Sequence, residues 1–168
     1  MPEAPAASPP PIALRPLAPG EAGLLLPLVE PLHHIHASRR PDVFHEAGGP
    51  AERQAELAEI LARPGWFCLL AEDARGPAGY VLAELQVIEA DAFRCGRRRG
   101  FVHHIATRAD LRRQGIASAL LAAAQDRFRA EGATVWATTY WAWNAASAAL
   151  MAKAGLAPAI ILADAPLD

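Results

Sequence analysis

The chain has 168 residues, and that length predicts one compact domain rather than two. Hydrophobic residues make up 52% of it, but 39 residues are alanine, and no run of eighteen apolar residues is free of charge. This pattern excludes a membrane-spanning helix. Two cysteines are too few for a disulfide scaffold, so we expect a reducing, cytoplasmic setting, and the net charge of -2 argues against a nucleic-acid partner.

The N-terminal half alternates strand and helix patterns. Residues 1–11 are rich in Pro and Ala and predict a disordered lead-in to a domain over 12–168. The predicted elements of this half are, in chain order, a strand at 12–15, a helix at 21–37, a loop at 40–44, a helix at 51–63, and strands at 66–71 and 80–88 that a turn at 72–76 joins into a hairpin. Pro27 and Pro31 should kink or interrupt the first helix.

The C-terminal half continues the alternation. Its predicted elements are a surface loop at 91–100, a strand at 101–107, a helix at 113–131, a strand at 134–138, a helix at 144–154 and a last strand at 159–162. Asn144 is the expected N-cap of the last helix, and Gly155 its stop. The whole order predicts an α/β domain with a mixed, mostly antiparallel sheet and helices on both of its faces.

The turn after the strand at 101–107 reads Arg112-Arg113-Gln114-Gly115-Ile116-Ala117. The N-terminus of a helix leaves its first N–H groups without internal partners and carries partial positive charge. The small residues Gly115 and Ala117 let a ligand approach the backbone closely. These features predict a pyrophosphate-binding turn. The sequence contains neither GxxxxGK[ST] nor GxGxxG, so it is neither a P-loop nor a dinucleotide-binding motif.

The same turn resembles a signature of the GNAT family of N-acetyltransferases. Residues 112–117 match its pattern [R/Q]-x-x-G-x-[G/A], and 144–156 (NAASAALMAKAGL) are similar to the family's N-x-x-A-x-x-L-Y-x-K-x-G-F. The segment 36–44 (HASRRPDVF) resembles an acceptor-side loop of some members. The two motifs lie in order, about thirty residues apart, each in a suitable structural context. The resemblance covers 12–162 and implies a GNAT-like sheet that is splayed between strands four and five.

The resemblance also implies a co-substrate and its ligands. It implies acetyl transfer from acetyl-CoA to a primary amine of a small molecule, a protein N-terminus or a lysine, by direct attack on the thioester. The residues that would hold the pyrophosphate are Arg112, Arg113, Gln114, Gly115, Ile116, Ala117 and Ser118. The pantetheine arm would pair with the edge of strand four at Ile105, Ala106 and Thr107, and Asn144 would reach it from the far side.

Acyl transfer requires a group that accepts a proton from the amine and donors that stabilise the oxyanion. Glu84 on strand three and His104 on strand four are the candidate bases, and backbone N–H groups near Ile105 are the candidate oxyanion donors. Strand alternation places His103 on the face opposite His104. A water held between Glu84 and His104 predicts an apparent pKa of about 6 to 7.5 in the pH–rate profile.

Met151 stands where the family has a tyrosine that acts as general acid. Methionine cannot donate a proton, so the thiolate, with a pKa near 8.5, would leave unaided, or water or Tyr140 would supply the proton. A catalytically weak acyl-CoA-binding or sensor module is therefore one alternative. A toxin-type or tRNA-linked acetyltransferase is another, and the net charge of -2 argues against it.

Other clusters have plainer interpretations. The histidines at 33, 34, 36 and 45 have no carboxylate or cysteine at ligand spacing, so we predict no metal site. Arg97 to Arg99 are expected in a solvated loop, and Trp136, Trp141 and Trp143 in the core and at its lip. The sequence does not identify the acceptor, and a homodimer is one of the oligomeric states it leaves open.

Overall fold

The computed structural model describes residues 12–165 and 167, so the predicted lead-in at 1–11 lies outside the described residues. Its strands are β1 (Ala13–Pro16), β2 (Trp66–Asp73), β3 (Gly76–Ile88), β4 (Arg97–Thr107) and β5 (Val135–Thr138). Its α-helices are α1 (Leu26–Arg39), α2 (Pro50–Leu61), α3 (Ile116–Ala130) and α4 (Ala145–Lys153), and short 3-10 helices span Pro19–Leu25 and Ala109–Leu111. In these ranges no helix is both long and apolar enough to cross a membrane.

The five strands form one sheet in the order β1-β2-β3-β4-β5. The pairs β1–β2, β2–β3 and β3–β4 are antiparallel and β4–β5 is parallel, which confirms the predicted mixed, mostly antiparallel sheet. The β4–β5 pairing covers only 99–102 and 135–138. Among the described residues, 103–107 of β4 therefore have β3 on one side and no strand on the other. The predicted splay would begin at this point.

Two apolar layers cover the two faces of the sheet. On one face, α3 and α4 bury Leu120, Leu121 and Met151 against strand residues such as Val81 and Val102. On the other face, the first 3-10 helix, α1 and α2 pack on another set of side chains, which are Cys68, Leu70, Tyr80 and Leu82. The period-two alternation of the strands gives each face its own apolar set.

Two glycines set the distance between α3 and the sheet. A Cβ on Gly100 would lie 2.3 Å from the ring of Phe128, and a Cβ on Gly79 would lie 3.2 Å from Cγ2 of Ile116. Side chains at these positions would push both ends of α3 away from the strands. Close packing therefore fixes the first turn of α3 beside the carboxyl end of β4.

Three boundaries differ from the sequence-based prediction. The segment predicted as one helix from 21 divides at Leu26, with Pro27 in the first turn of α1 and Pro31 inside it. Arg97 to Arg99 lie in β4 rather than in a loop, because they pair with β3 and Arg99 donates to Oε1 of Gln86 at 2.6 Å. The last predicted strand is absent as well: residues 156–165 have no regular secondary structure and no strand partner within the described chain.

Candidate active site

The turn before α3 has an unusual backbone. Arg113 has a φ of 63° and Gly115 a φ of 87°, so α3 begins at Ile116 and not at 113 as predicted. The first bond of the helix runs from the N–H of Ala119 to the carbonyl of Gly115. Within the described structure, the backbone N–H groups of residues 113–118 have no acceptor. Six consecutive donors at a helix N-terminus form a concentrated anion-binding surface.

The side chains of this turn leave its surface open. Arg112 and Arg113 are exposed, and neither has an ion-pair or hydrogen-bond partner among the described residues. Gln114 donates to the carbonyl of Asp110 at 3.3 Å. A Cβ built on Gly115 would find nothing within 4 Å, so the space in front of this residue is free. Two guanidinium groups and a row of backbone N–H groups thus lie together in one exposed turn.

A network of four charges anchors the segment that leads into the turn. The side chain of Asp73, at the end of β2, is 1% exposed and pairs with Arg108 and Arg75. Asp110 binds the same two arginines, at 2.9 Å and 2.7 Å. The hydrogen bond from Arg108 lowers the pKa of Asp73 to about 2, so this carboxylate is ionised at any physiological pH. The network fixes residues 108–110 immediately before the anion-binding surface.

The open edge of β4 continues from that turn toward the middle of the sheet. Ile105, Ala106 and Thr107 pair with β3 on one side only. The Thr107 hydroxyl and the indole N–H of Trp143 are buried without a hydrogen-bond partner in the part of the chain described. Asn144 caps α4 as predicted, because its Oδ1 accepts from the N–H of Ser147 at 3.1 Å. Its amide nitrogen stays free to donate.

A β-bulge changes the direction of the side chains in the middle of β4. Leu82 pairs with His104 and Ala83 pairs with Val102, so His103 is an extra residue in β4. Such an insertion interrupts the alternation of side chains along the strand. The ring of His103 stacks on Trp66 at 4.2 Å, on the α1–α2 face. The prediction that His103 points away from His104 is therefore wrong.

The bulge also changes the predicted pairing of the candidate bases. Oε2 of Glu84 lies 3.1 Å from Nε2 of His103 and accepts from the amide of Gln86 at 2.7 Å. Glu84 thus makes a direct contact with His103, a partner that strand alternation did not predict. His104 instead lines a cavity between the sheet, α1 and α2.

This cavity has a volume of about 450 Å³ and mainly apolar walls. The residues that form its apolar walls are Val29, Val43, Phe44, Leu57 and Ile60. The polar groups of the cavity are Glu52, Arg53, Glu56, His33 and His45, and His104 lies on the side of the sheet. A volume of this size is typical of small-molecule sites.

The electrostatic state of His104 follows from its position in the cavity. His104 is exposed to solvent on its cavity side, and the rest of its ring packs against protein. Burial, together with repulsion from His103 and His36, lowers its pKa to about 4. His104 is therefore neutral at physiological pH.

The segment 36–44 closes one side of the cavity through aromatic contacts. The rings of His36 and Phe44 lie 5.3 Å apart, and Phe44 meets the ring of Trp141 at 5.9 Å. The guanidinium of Arg40 lies 4.7 Å from the centre of the Trp141 ring. These contacts connect the end of α1 to the loop between β5 and α4. The segment that resembles an acceptor-side loop thus lines the cavity through Val43 and Phe44.

Met151, at the position of the family's tyrosine, is 2% exposed and packs in the core with Leu120 and Leu121. A group in this position does not reach open solvent. Tyr140 follows β5 and is 38% exposed. Among the described residues, no three His, Cys, Asp or Glu side chains lie together in a metal-binding arrangement.

The charge network and the bulge were not predicted from the sequence. Asp73 ends β2 and Arg75 lies in the hairpin turn that follows, and neither position indicates a contact with Arg108. A bulge depends on the register of two strands, so one strand read alone does not reveal it. The spacing of the two motifs, by contrast, correctly located the turn before α3 and the cap of α4.

Comparison with known proteins relates the whole site to one family. The sequence profile of the acetyltransferase (GNAT) family matches residues 29–156. No curated protein matches the chain in sequence.

Solved structures share the fold at low sequence identity. The BH1408 protein of Bacillus halodurans, as its F44R mutant, has a TM-score of 0.85 at 15% identity, over 92% of this chain and 99% of that one. The aminoglycoside N-acetyltransferase AAC(6')-Iy in complex with CoA has a TM-score of 0.74 at 15% identity, over 96% and 98%. The aminoglycoside acetyltransferase HMB0005, from an uncultured soil metagenomic sample, has a TM-score of 0.68 at 20% identity, over 94% and 99%.

Proposed function

The chain belongs to the acetyltransferase (GNAT) family, and on that premise we propose that it transfers the acetyl group of acetyl-CoA to a primary amine. The observation that carries the proposal is the row of six unpaired backbone N–H groups at residues 113–118 beside the open edge of β4. A pyrophosphate needs such donors, and an extended pantetheine arm needs a strand edge. The structure of AAC(6')-Iy holds CoA in the same fold.

The proposed co-substrate site extends from the turn along β4. Backbone N–H groups of residues 113–118 hold the pyrophosphate, and the exposed guanidinium groups of Arg112 and Arg113 add charge-assisted bonds. The free edge at Ile105 to Thr107 pairs with the amides of the arm. Asn144 donates from the opposite side through its amide nitrogen, since its oxygen already caps α4.

The cavity beside His104 is the proposed acceptor site. Its apolar walls fit the carbon skeleton of an amine, and the carboxylates of Glu52 and Glu56 attract the ammonium form toward the cavity. His104 is neutral, so its ring can accept a hydrogen bond from the amine and orient the nitrogen lone pair. This arrangement favours an amine on an apolar skeleton over a polycation such as an aminoglycoside.

The chemical step is direct attack of the amine nitrogen on the thioester carbonyl. Backbone N–H groups of β4 near Ile105 stabilise the oxyanion, a contribution that is large in acyl transfer. The pair of Glu84 and His103, 3.1 Å apart, lies one residue from His104 and supplies a second proton acceptor. Met151 is buried in the core, so the thiolate leaves without a proton from that position.

The experiment measures the release of CoA thiol from acetyl-CoA with a panel of primary amines. The proposal predicts amine-dependent release above the rate of hydrolysis, and its loss in Gly115→Glu, because a carboxylate would enter the pyrophosphate site. Saturable binding of acetyl-CoA without turnover of any amine would favour the alternative of a binding or sensor module. Absence of both binding and turnover would contradict the proposed function.

A further inference from the structure

A chain of four hydrogen-bonded side chains lies on the α1–α2 face of β3 and β4. It begins at Arg99, whose Nε and Nη2 donate to Oε1 of Gln86 at 2.9 Å and 2.6 Å. The amide nitrogen of Gln86 donates to Oε2 of Glu84 at 2.7 Å. The chain ends at His103, whose Nε2 lies 3.1 Å from the same carboxylate oxygen.

Each bond of this chain has only one possible direction. A guanidinium group can only donate, so the oxygen of Gln86 must face Arg99 and its nitrogen must face Glu84. An ionised carboxylate can only accept, so the ring nitrogen of His103 that faces Glu84 must carry a proton. The hydrogen bonds therefore select the tautomer with Nε2–H, in which Nδ1 keeps its lone pair.

Two aromatic rings hold the ring of His103 in place. Trp66 stacks on it at 4.2 Å, with 23° between the two planes, and the ring of Phe101 lies 4.7 Å away. These contacts fix the position of the ring, but they do not distinguish its two nitrogens. Nδ1 has no hydrogen-bond partner among the described residues, and it is not one of their buried unpaired atoms. It is therefore free to accept a proton.

His103 lies where β4 loses its pairing with β5. That pairing ends at Val102, so His103 is the first residue of the open edge. The next residue, His104, lines the proposed acceptor cavity, and the backbone near Ile105 is the proposed oxyanion site. A neutral primary amine has two N–H groups, so it can donate one to His104 and the other to His103.

We propose that Arg99 acts as a positioning residue in the reaction. Through the two side chains between them, it holds His103 in the tautomer whose Nδ1 accepts the proton of the amine. This inference rests on the proposed acetyl transfer. In that step the amine nitrogen bonds to the thioester carbon, its proton passes to Nδ1, and the electron pair of the C–S bond leaves with the thiolate. The imidazolium stays paired with Glu84 until it returns the proton to the thiolate or to water.

The first experiment observes the tautomer without turnover. The histidines of the full chain are labelled with an isotope of nitrogen, and proton–nitrogen correlation spectra are recorded at about pH 9, where histidines are neutral. His103→Ala assigns the signals. We expect Nδ1 of His103 to resonate as an unprotonated nitrogen. In Arg99→Leu the amide of Gln86 can turn, so the second tautomer should appear. The control is Arg98→Leu, at an exposed arginine whose side chain lies near Gly132, and it should change neither signal.

The second experiment separates kcat from KM with an amine selected from the panel. His103→Ala should lower kcat roughly a hundred- to ten-thousandfold, leave the KM of acetyl-CoA unchanged, and recover in part with added imidazole. Arg99→Leu should lower kcat roughly tenfold. Arg99→Lys should regain most of that loss, because an ammonium group can still donate to Gln86. Arg98→Leu should leave kcat unchanged, and all four variants should keep the rise in Tm with acetyl-CoA.

The outcomes separate this inference from the proposed function. A protonated Nδ1 in the wild type, or identical His103 signals in the wild type and Arg99→Leu, would overturn the role of Arg99. Equal losses of kcat in Arg99→Leu and Arg98→Leu would also overturn it. An active wild type whose His103→Ala variant keeps its kcat would overturn the assignment of the proton acceptor. A wild type that turns over no amine would contradict the proposed acetyl transfer itself, and the inference would fail with it.

Discussion

A single methyl group at Gly115 should separate cofactor binding from folding. Gly115 has a φ of 87° with open space in front of it, so Gly115→Ala adds backbone strain and a group on the proposed pyrophosphate surface, but no clash with the protein. The left-handed conformation costs alanine about 1–2 kcal/mol. In a chain of this size, that corresponds to a fall in Tm of about 2–8 °C.

Gly155 provides the matched control. It has a φ of 89°, a Cβ at this position would also meet nothing within 4 Å, and the residue lies after α4 rather than on the pyrophosphate surface. Gly155→Ala should therefore lower Tm by a similar amount. In the wild type, acetyl-CoA at 100 times its Kd adds about 2.7 kcal/mol, or about 5–10 °C.

The assay is a thermal melt of the three proteins with and without acetyl-CoA. Wild type and Gly155→Ala should keep the ligand-induced rise in Tm, and Gly115→Ala should lose most of it. If both variants keep the full rise, the turn before α3 does not hold the pyrophosphate. If both lose it, strain in the fold rather than the added methyl group explains the effect.

Three further predictions concern the base, the anchor and the cavity. His104→Ala should lower kcat/KM roughly ten to a thousandfold at pH 7. Because the pKa of His104 is about 4 in the folded protein and 6.5 in the unfolded one, the protein should lose stability as pH falls from 6.5 to 4. His103→Ala should retain this loss of stability, and His104→Ala should reduce it. A pH profile of kcat/KM with a limb near pH 7 that His104→Ala abolishes would contradict this assignment. Asp73→Asn should weaken acetyl-CoA binding about tenfold in calorimetry, while Asp126→Asn, in an exposed pair with an arginine on α3, should not. If Asp73→Asn binds acetyl-CoA as tightly as Asp126→Asn does, the charge network does not position the turn. Phe44→Ala should raise KM for the amine and leave KM for acetyl-CoA unchanged in steady-state kinetics, and the reverse pattern would place the acceptor elsewhere.

The parts of the site that depend on local sequence were predictable. A glycine at the start of a helix and an asparagine at its cap act within a few residues, so the turn at 112–118 and the role of Asn144 in α4 follow from the sequence. The hydrophobic alternation likewise gave the order of strands and helices. Local signals therefore located the cap of α4 and the turn before α3, although α3 itself begins three residues later than predicted.

The parts that depend on pairing between distant segments were not predictable. Strand alternation assigns faces only where no residue is inserted, and the extra His103 reverses the assignment. The apolar segment at 159–162 has the composition of a strand, but a strand requires a partner, and none is supplied within the described chain. The ion pair between Asp73 and Arg108 is likewise formed across 35 residues of sequence.

The most direct test of the proposed reaction follows the acetyl group itself. The full chain is incubated with isotopically labelled acetyl-CoA and an amine selected from the panel, and the products are analysed by mass spectrometry. The account predicts label in the amine, one acetyl group for each CoA thiol released, and no label in the amine with Gly115→Glu. Label recovered only as free acetate, or the same yield of acetylated amine from Gly115→Glu, would contradict it.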